Sequence, residues 1–169
     1  TEFEYHTWTE GQKVRIGPFT VEPFRVIHPA KDPYALRIEC NTATENILFA
    51  YSGDTDLCDG LIEAARGAEL FLCEAAYQEG RDDALRGIHL TGKRAGQAAQ
   101  AAGVRNLLLT HLPVWNDPDI ARAEAKSVFT GSVGVAEVAA SYRIHPRPKP
   151  TNPPTSTLNV IERSDSHTS

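Results

Sequence analysis

Ile47-Leu48-Phe49-Ala50-Tyr51-Ser52-Gly53-Asp54-Thr55-Asp56-Leu57 is the stretch on which the reading of this chain turns. Its first five residues form a short apolar run suited to a buried strand. The run leaves the strand through Ser52-Gly53 and ends on Asp54. A helix over 57–66 follows, with Asp56 or Thr55 as its N-cap and Gly67 at its close. A second buried strand, 70–73, then ends on Glu74. Strand, helix and strand in succession predict an α/β layer architecture.

The neighbouring segments extend the pattern. Upstream, Leu36-Arg37-Ile38-Glu39 alternates, and residues 42–46 form a polar turn. Phe19-Thr20-Val21-Glu22 alternates again after Gly17-Pro18, and Phe24-Arg25-Val26-Ile27 runs into His28. This strand-rich opening predicts a mixed sheet. Downstream, a polar loop spans 78–87. Thr91 caps a helix that reaches Ala102 and closes at Gly103, with a small-residue stripe of Ala95, Ala98, Ala99 and Ala102. Leu107-Leu108-Leu109 is a third buried strand. Asp117-Pro118 opens a last helix, whose inner face is read as Ile120, Ala123, Ser127 and Val128. From His145 the composition shifts: Pro146, Pro148, Pro150, Pro153 and Pro154 crowd together among Ser, Thr and Asn. Residues 1–144 therefore read as the folded part and 145–169 as a disordered tail, in which Leu158 to Ile161 is a weak strand candidate.

Composition narrows the function classes. The chain has 169 residues, 41% of them hydrophobic, enough for one domain with a real core. A net charge of −5 argues against a broad surface for long nucleic acid. No apolar run approaches the length of a membrane span, and no signal peptide is visible. Three cysteines, Cys40, Cys58 and Cys73, form no Cys-x-x-Cys pair and read as reduced cytoplasmic thiols. Cys73, in an apolar run, reads as a small core residue. There is no Met, even at position 1, which reads as a fragment or a processed product.

Four predicted strands end on residues suited to metal or proton chemistry: His28, Asp54, Glu74 and His111. In open α/β sheets ligands bind beyond the carboxyl ends of the strands, where residues distant in sequence converge. Two imidazoles and carboxylates suit zinc or a similar ion, and a carboxylate can bridge two ions. Gly53 permits a close backbone approach before Asp54. His89, in Gly87-Ile88-His89-Leu90-Thr91, stands in a loop from which it can reach such a site. Taken singly, each residue has an ordinary structural explanation, such as a turn Asp or a strand-end His. Only their joint occurrence points to a metal or an acid/base site. For His6 a strand face, for Trp8 packing, and for Lys93-Arg94 a solvated helix face is the simpler reading. Trp115 reads as a core or lid aromatic, with stacking on a base as the alternative.

These residues resemble the RNase Z-like branch of the metallo-β-lactamase superfamily. Ser52-Gly53-Asp54-Thr55 is similar to its Gly-Asp-Thr metal motif, and Leu72-Cys73-Glu74-Ala75-Ala76 to its His-Glu-Ala-Thr strand end. Gly87-Ile88-His89-Leu90-Thr91 is similar to the catalytic histidine loop, Leu109-Thr110-His111 to the last metal motif, and Val26-Ile27-His28-Pro29 to the third histidine motif. The order holds from about Phe19 to Val128. The resemblance implies half of an αβ/βα sandwich and two divalent ions, zinc first and manganese or iron as alternatives. His28 would bind one ion and His111 the other, with Asp54 bridging them. His89, oriented by Glu74, would stabilise or protonate the leaving oxygen, while a bridging hydroxide attacks phosphorus. The family's His-x-His-x-Asp-His motif lies upstream and does not occur here. The expectation is that this is a C-terminal half, inactive alone, whose partner is the missing N-terminal half.

Within that branch the tRNA 3′-processing enzymes insert a long arm between the third histidine motif and Gly-Asp-Thr. Here strands and a turn fill the interval between His28 and Asp54. The chain therefore looks most similar to small bacterial cyclic-nucleotide phosphodiesterases. That implies a small nucleotide substrate, best guess 3′,5′-cyclic AMP, in a cytoplasmic homodimer. The alternatives are an RNase Z-like endoribonuclease and a catalytically dead dimerisation domain.

Overall fold

A computed structural model describes residues 5–41 and 45–146. Seven strands form one sheet in chain order: β1 (Val14–Ile16), β2 (Phe19–Arg25), β3 (Tyr34–Asn41), β4 (Asn46–Tyr51), β5 (Leu70–Glu74), β6 (Asn106–Thr110) and β7 (Ser132–Val135). The first four pair antiparallel, and β4 to β7 pair parallel. Each parallel step crosses through one helix: α1 (Asp59–Ala65), α2 (Gly92–Ala102) or α3 (Pro118–Lys126). Crossovers are what parallel neighbours require. The expected mixed α/β sheet is the observed one; β1 and β7, three and four residues long, carried no signal strong enough to be read.

Alternation along the parallel strands sorts the two faces. Leu48, Ala50, Phe71, Cys73, Leu107 and Leu109 point into the core beneath the helices, all 8% exposed or less. Phe49, Leu72 and Thr110 face the other way and remain half-buried. Tyr142 and Ile144, beyond β7, line an apolar cavity of about 320 Å³ on this second face with Leu70, Leu72 and Leu108.

The alanine stripe of α2 is buried throughout, and Thr91 Oγ1 accepts from Arg94 N as the N-cap. Gly103 closes the helix at φ 64°. Small residues bring α2 against α3: a Cβ on Gly92 would stand 2.2 Å from the Ala121 carbonyl oxygen. That contact fixes the phase of α3. Its buried residues are Ala121 and Ala125, not Ile120, Ala123 and Ser127, and Ile120 is 40% exposed. Side chains larger than alanine do not fit where two backbones touch.

The helix expected over 57–66 begins at Asp59 with Cys58 as N-cap, because Thr55 and Asp56 are buried and bonded elsewhere. The strand expected to run to Ile27 ends at Arg25; Ile27 only bridges to Asp56. His6 lies in no strand. From residue 147 onward the proposed tail, including the strand candidate at Leu158 to Ile161, lies outside the described residues. Among the described residues no helix is long and apolar enough to cross a membrane.

Candidate metal centre

The carboxyl ends of β4, β5 and β6 and the loops around them gather the residues singled out above. Asp54, His89 and His111 each offer a ligand atom within 4.8 Å of the others. The His28 ring centre lies 5.1 Å from that of His89, and the His89 centre 5.2 Å from that of His111. His28 stands beside the three-residue cluster without being part of it. His89, which the resemblance implied to be the residue that stabilises or protonates the leaving oxygen, is at ligand distance from the other two.

Backbone geometry sets these positions. Gly53 has φ 59°, and a Cβ there would meet the Tyr34 carbonyl oxygen at 2.6 Å. Only glycine allows β4 to turn so close to β3 and present Asp54. His111 adopts φ 56°, a left-handed conformation that costs a non-glycine residue energy and is concentrated at functional sites.

Each histidine has its Nδ1 tied down. His28 Nδ1 lies 2.9 Å from the Ile88 carbonyl, His89 Nδ1 2.8 Å from Glu74 Oε1, and His111 Nδ1 3.1 Å from Asp54 Oδ1. Carbonyls and carboxylates accept, so Nδ1–H donates and Nε2 is left to act, as a metal ligand when neutral or as a proton donor when the ring is charged. This is the arrangement in which histidine binds divalent metal or handles a proton. Imidazole nitrogens beside a carboxylate fit a zinc-like ion in type and spacing.

Glu74 is 1% exposed and organises the floor of the site. Oε1 accepts from Thr55 N at 2.8 Å as well as from His89, and Oε2 accepts from Ala76 N at 3.2 Å and Leu90 N at 3.3 Å. Burial pushes its carboxyl above the ordinary range, against the opposing pull of the His89, Thr55 and Ala76 hydrogen bonds. Ser52 Oγ accepts from Glu74 N, so the Gly-Asp-Thr turn and the end of β5 are stitched together.

A second carboxylate was missed by the sequence reading except as a cap. Asp56, 3% exposed, accepts from Arg94 at 2.9 Å, Arg86 at 2.7 Å, Gly87 N at 2.8 Å and Leu57 N at 2.7 Å. Burial would raise its carboxyl, but those hydrogen bonds, Arg86 foremost, bring it down from 3.8 to about 2. Arg94 is 5% exposed, so the solvated face read for Lys93-Arg94 is wrong at Arg94. It also donates to the carbonyls of Leu85, His89 and Asp83. The Asp54 turn and the His89 loop therefore share one buried ion pair. Nothing in the sequence pairs residues so far apart; only the fold does.

Trp115 is 75% exposed, which excludes the core reading. With Tyr77, Arg81, His89 and His111 it lines a cavity of about 530 Å³ beside the metal cluster.

Comparison with known proteins agrees with this architecture. The family model described as beta-lactamase superfamily domain matches residues 1–112. Uncharacterized protein Rv1339 of Mycobacterium tuberculosis is 42% identical over 131 residues, 78% of this chain and 46% of that protein. "Probable metallo-hydrolase YhfI" of Bacillus subtilis is 35% identical over 139 residues, 79% of this chain and 54% of that one. The crystal structure of YhfI, a metallo-β-lactamase fold protein, superposes with a TM-score of 0.68 at 34% identity, covering 77% of this chain and 52% of that one. A protein named ribonuclease Z from Salinispora arenicola is 32% identical over 144 residues, 83% of this chain and 43% of its own length. The chain thus spans about half the length of the curated relatives it matches.

Proposed function

The chain belongs to the beta-lactamase superfamily domain family and has the metallo-β-lactamase fold, and from that premise we propose that it carries the C-terminal part of the active site of a metal-dependent phosphodiester hydrolase. The observation that carries this reading is the convergence of Asp54, His89 and His111 within 4.8 Å, with Glu74 behind His89.

His28 would hold one divalent ion and His111 the other, zinc first and manganese or iron as alternatives. Asp54 would be shared between the two, and residues outside this chain would complete the shells. When bound, such ions acidify water and neutralise charge developing on phosphate oxygens. His89, as the imidazolium with its Nδ1–H held by Glu74, gives its Nε2 proton to the leaving oxygen and is left neutral. The half-buried apolar face that carries Phe49 and Leu72 receives the rest of the fold, since parallel strands are ordinarily covered on both faces.

The substrate is a small nucleotide, with 3′,5′-cyclic AMP the first choice. The interval from His28 to Asp54 is occupied by the paired strands β3 and β4, and the net charge of −5 suits a small ligand better than a long polyanion. An endoribonuclease acting on tRNA 3′ ends is the second reading, favoured by the ribonuclease Z relative at 32% identity. The test is turnover of cyclic AMP and of a precursor tRNA by the zinc-loaded full-length protein. Cyclic AMP turnover abolished by Asp54→Ala supports the first reading, and turnover of the precursor alone supports the second. Turnover of neither, in a protein that dimerises, supports a catalytically dead domain.

A further inference from the structure

We infer that the cavity between His111 and Trp115 is a nucleobase subsite, in which the base of the ligand stacks on Trp115 while its phosphate lies toward His89 and His111. This rests on the phosphodiester reading above and adds the recognition element that reading lacks.

Trp115 is presented rather than merely exposed. Its neighbour Asn116 is buried, 9% exposed, and pins the turn from three sides. Asn116 N donates to the Pro113 carbonyl at 2.9 Å, and its Nδ2 donates to the Ala76 carbonyl at 2.9 Å. Its Oδ1 accepts from Arg81 Nη2 at 2.9 Å. A bulky apolar ring is thus held in water on a fixed turn only four positions beyond His111. Leaving such a ring uncovered forgoes its burial energy, and an aromatic uncovered in this chain on an anchored turn has the form of a stacking platform.

The walls match a nucleotide. The cavity's 530 Å³ lies in the range of small-molecule sites. The lining includes the ligand-type His89 and His111, with Tyr77 set edge-on to His89 at 5.2 Å between ring centres. It also includes Trp115 and the polar Arg81 and Asp82, joined by an ion pair at 2.6 Å. A nucleotide presents both a phosphate group and a flat heteroaromatic ring, one for each of these two kinds of lining. A phosphodiester without a base would leave Trp115 without a partner.

The test is calorimetric binding of AMP and of ribose 5-phosphate, which lacks the base, to the full-length protein and to Trp115→Ala and Trp115→Phe. Stacking predicts that Trp115→Ala weakens AMP about 5- to 100-fold, that Trp115→Phe retains most of the affinity, and that ribose 5-phosphate binds all three alike. Unchanged AMP affinity in Trp115→Ala, equal weakening of both ligands, or no AMP binding by the parent protein would overturn the subsite. The two readings fail separately. Base-dependent AMP binding without turnover of any phosphodiester removes the hydrolase reading alone. Turnover with Trp115-independent AMP binding removes this one alone.

Discussion

Asp56 and Arg94 form an ion pair at 2.9 Å with side chains 4% and 7% exposed, and through it the turn that carries Asp54 is tied to the loop that carries His89. Arg86 and Gly87 N, on the same loop as His89, bond the Asp56 carboxylate as well, and Glu74 bonds both Thr55 N and His89. A pair of this kind adds little compared with apolar packing, but breaking it leaves a buried charge uncompensated.

Arg94→Ala should therefore destabilise the full-length protein by about 3–5 kcal/mol, measured by denaturant unfolding. Lys93→Ala, one position away, should cost no more than about 0.5 kcal/mol, because the Lys93 side chain is 42% exposed and its ion pair with Glu79 is a surface contact. Similar losses in the two variants would show that the Asp56–Arg94 pair holds nothing together.

The same pair has an acid signature. The Asp56 carboxyl falls from 3.8 in the unfolded chain to about 2 in the folded one. A lowered carboxyl stabilises the fold above its unfolded pKa, and that stability is lost as pH falls toward 2. The group contributes about 2 kcal/mol in all. Unfolding free energies measured from pH 6 down to pH 3 should fall more steeply for the parent protein than for Asp56→Asn. Parallel curves would mean that Asp56 titrates as an ordinary carboxylate.

How far the sequence could be read depends on the range of the signal. Thr91 as a cap, Gly103 as a C-terminal stop and Asp117-Pro118 as a helix start are local features, and all three stand as expected. The strand ends at Asp54, Glu74 and His111 were legible because apolar runs end abruptly there. The burial of Arg94 and the inner face of α3 were not legible. Arg94 is drawn inside by an aspartate 38 positions away, and α3 is rotated by its contact with Gly92 on another helix. The exposure of Trp115 depends on Asn116 bonding to Ala76, 40 positions upstream. Side-chain pairings across elements decide such features, and no window of sequence contains them.

For His89 the two candidate roles separate in one experiment. If it handles a proton, His89→Ala in the full-length protein should lower turnover about 10²–10⁴-fold with metal content intact by elemental analysis. Asp54→Ala and His111→Ala should lose metal. Since His89 stands within 4.8 Å of both, metal loss in His89→Ala would instead make it a ligand.

Gly53 offers the sharpest test of the backbone that presents Asp54. With φ 59° and only 2.6 Å between a built Cβ and the Tyr34 carbonyl oxygen, Gly53→Ala must either strain the turn or push β3 and β4 apart. The strain alone is on the order of 1–3 kcal/mol. Asp54 follows directly, so any shift of the turn is carried to its carboxylate. Gly53→Ala should lower both the unfolding midpoint and the bound metal. Gly11→Ala is the control: its φ is also positive, at 71°, but nothing lies within 4 Å of its Cβ. It should lose some stability and keep its metal. Equal metal content in the two variants would mean that the close approach at Gly53 does not position Asp54.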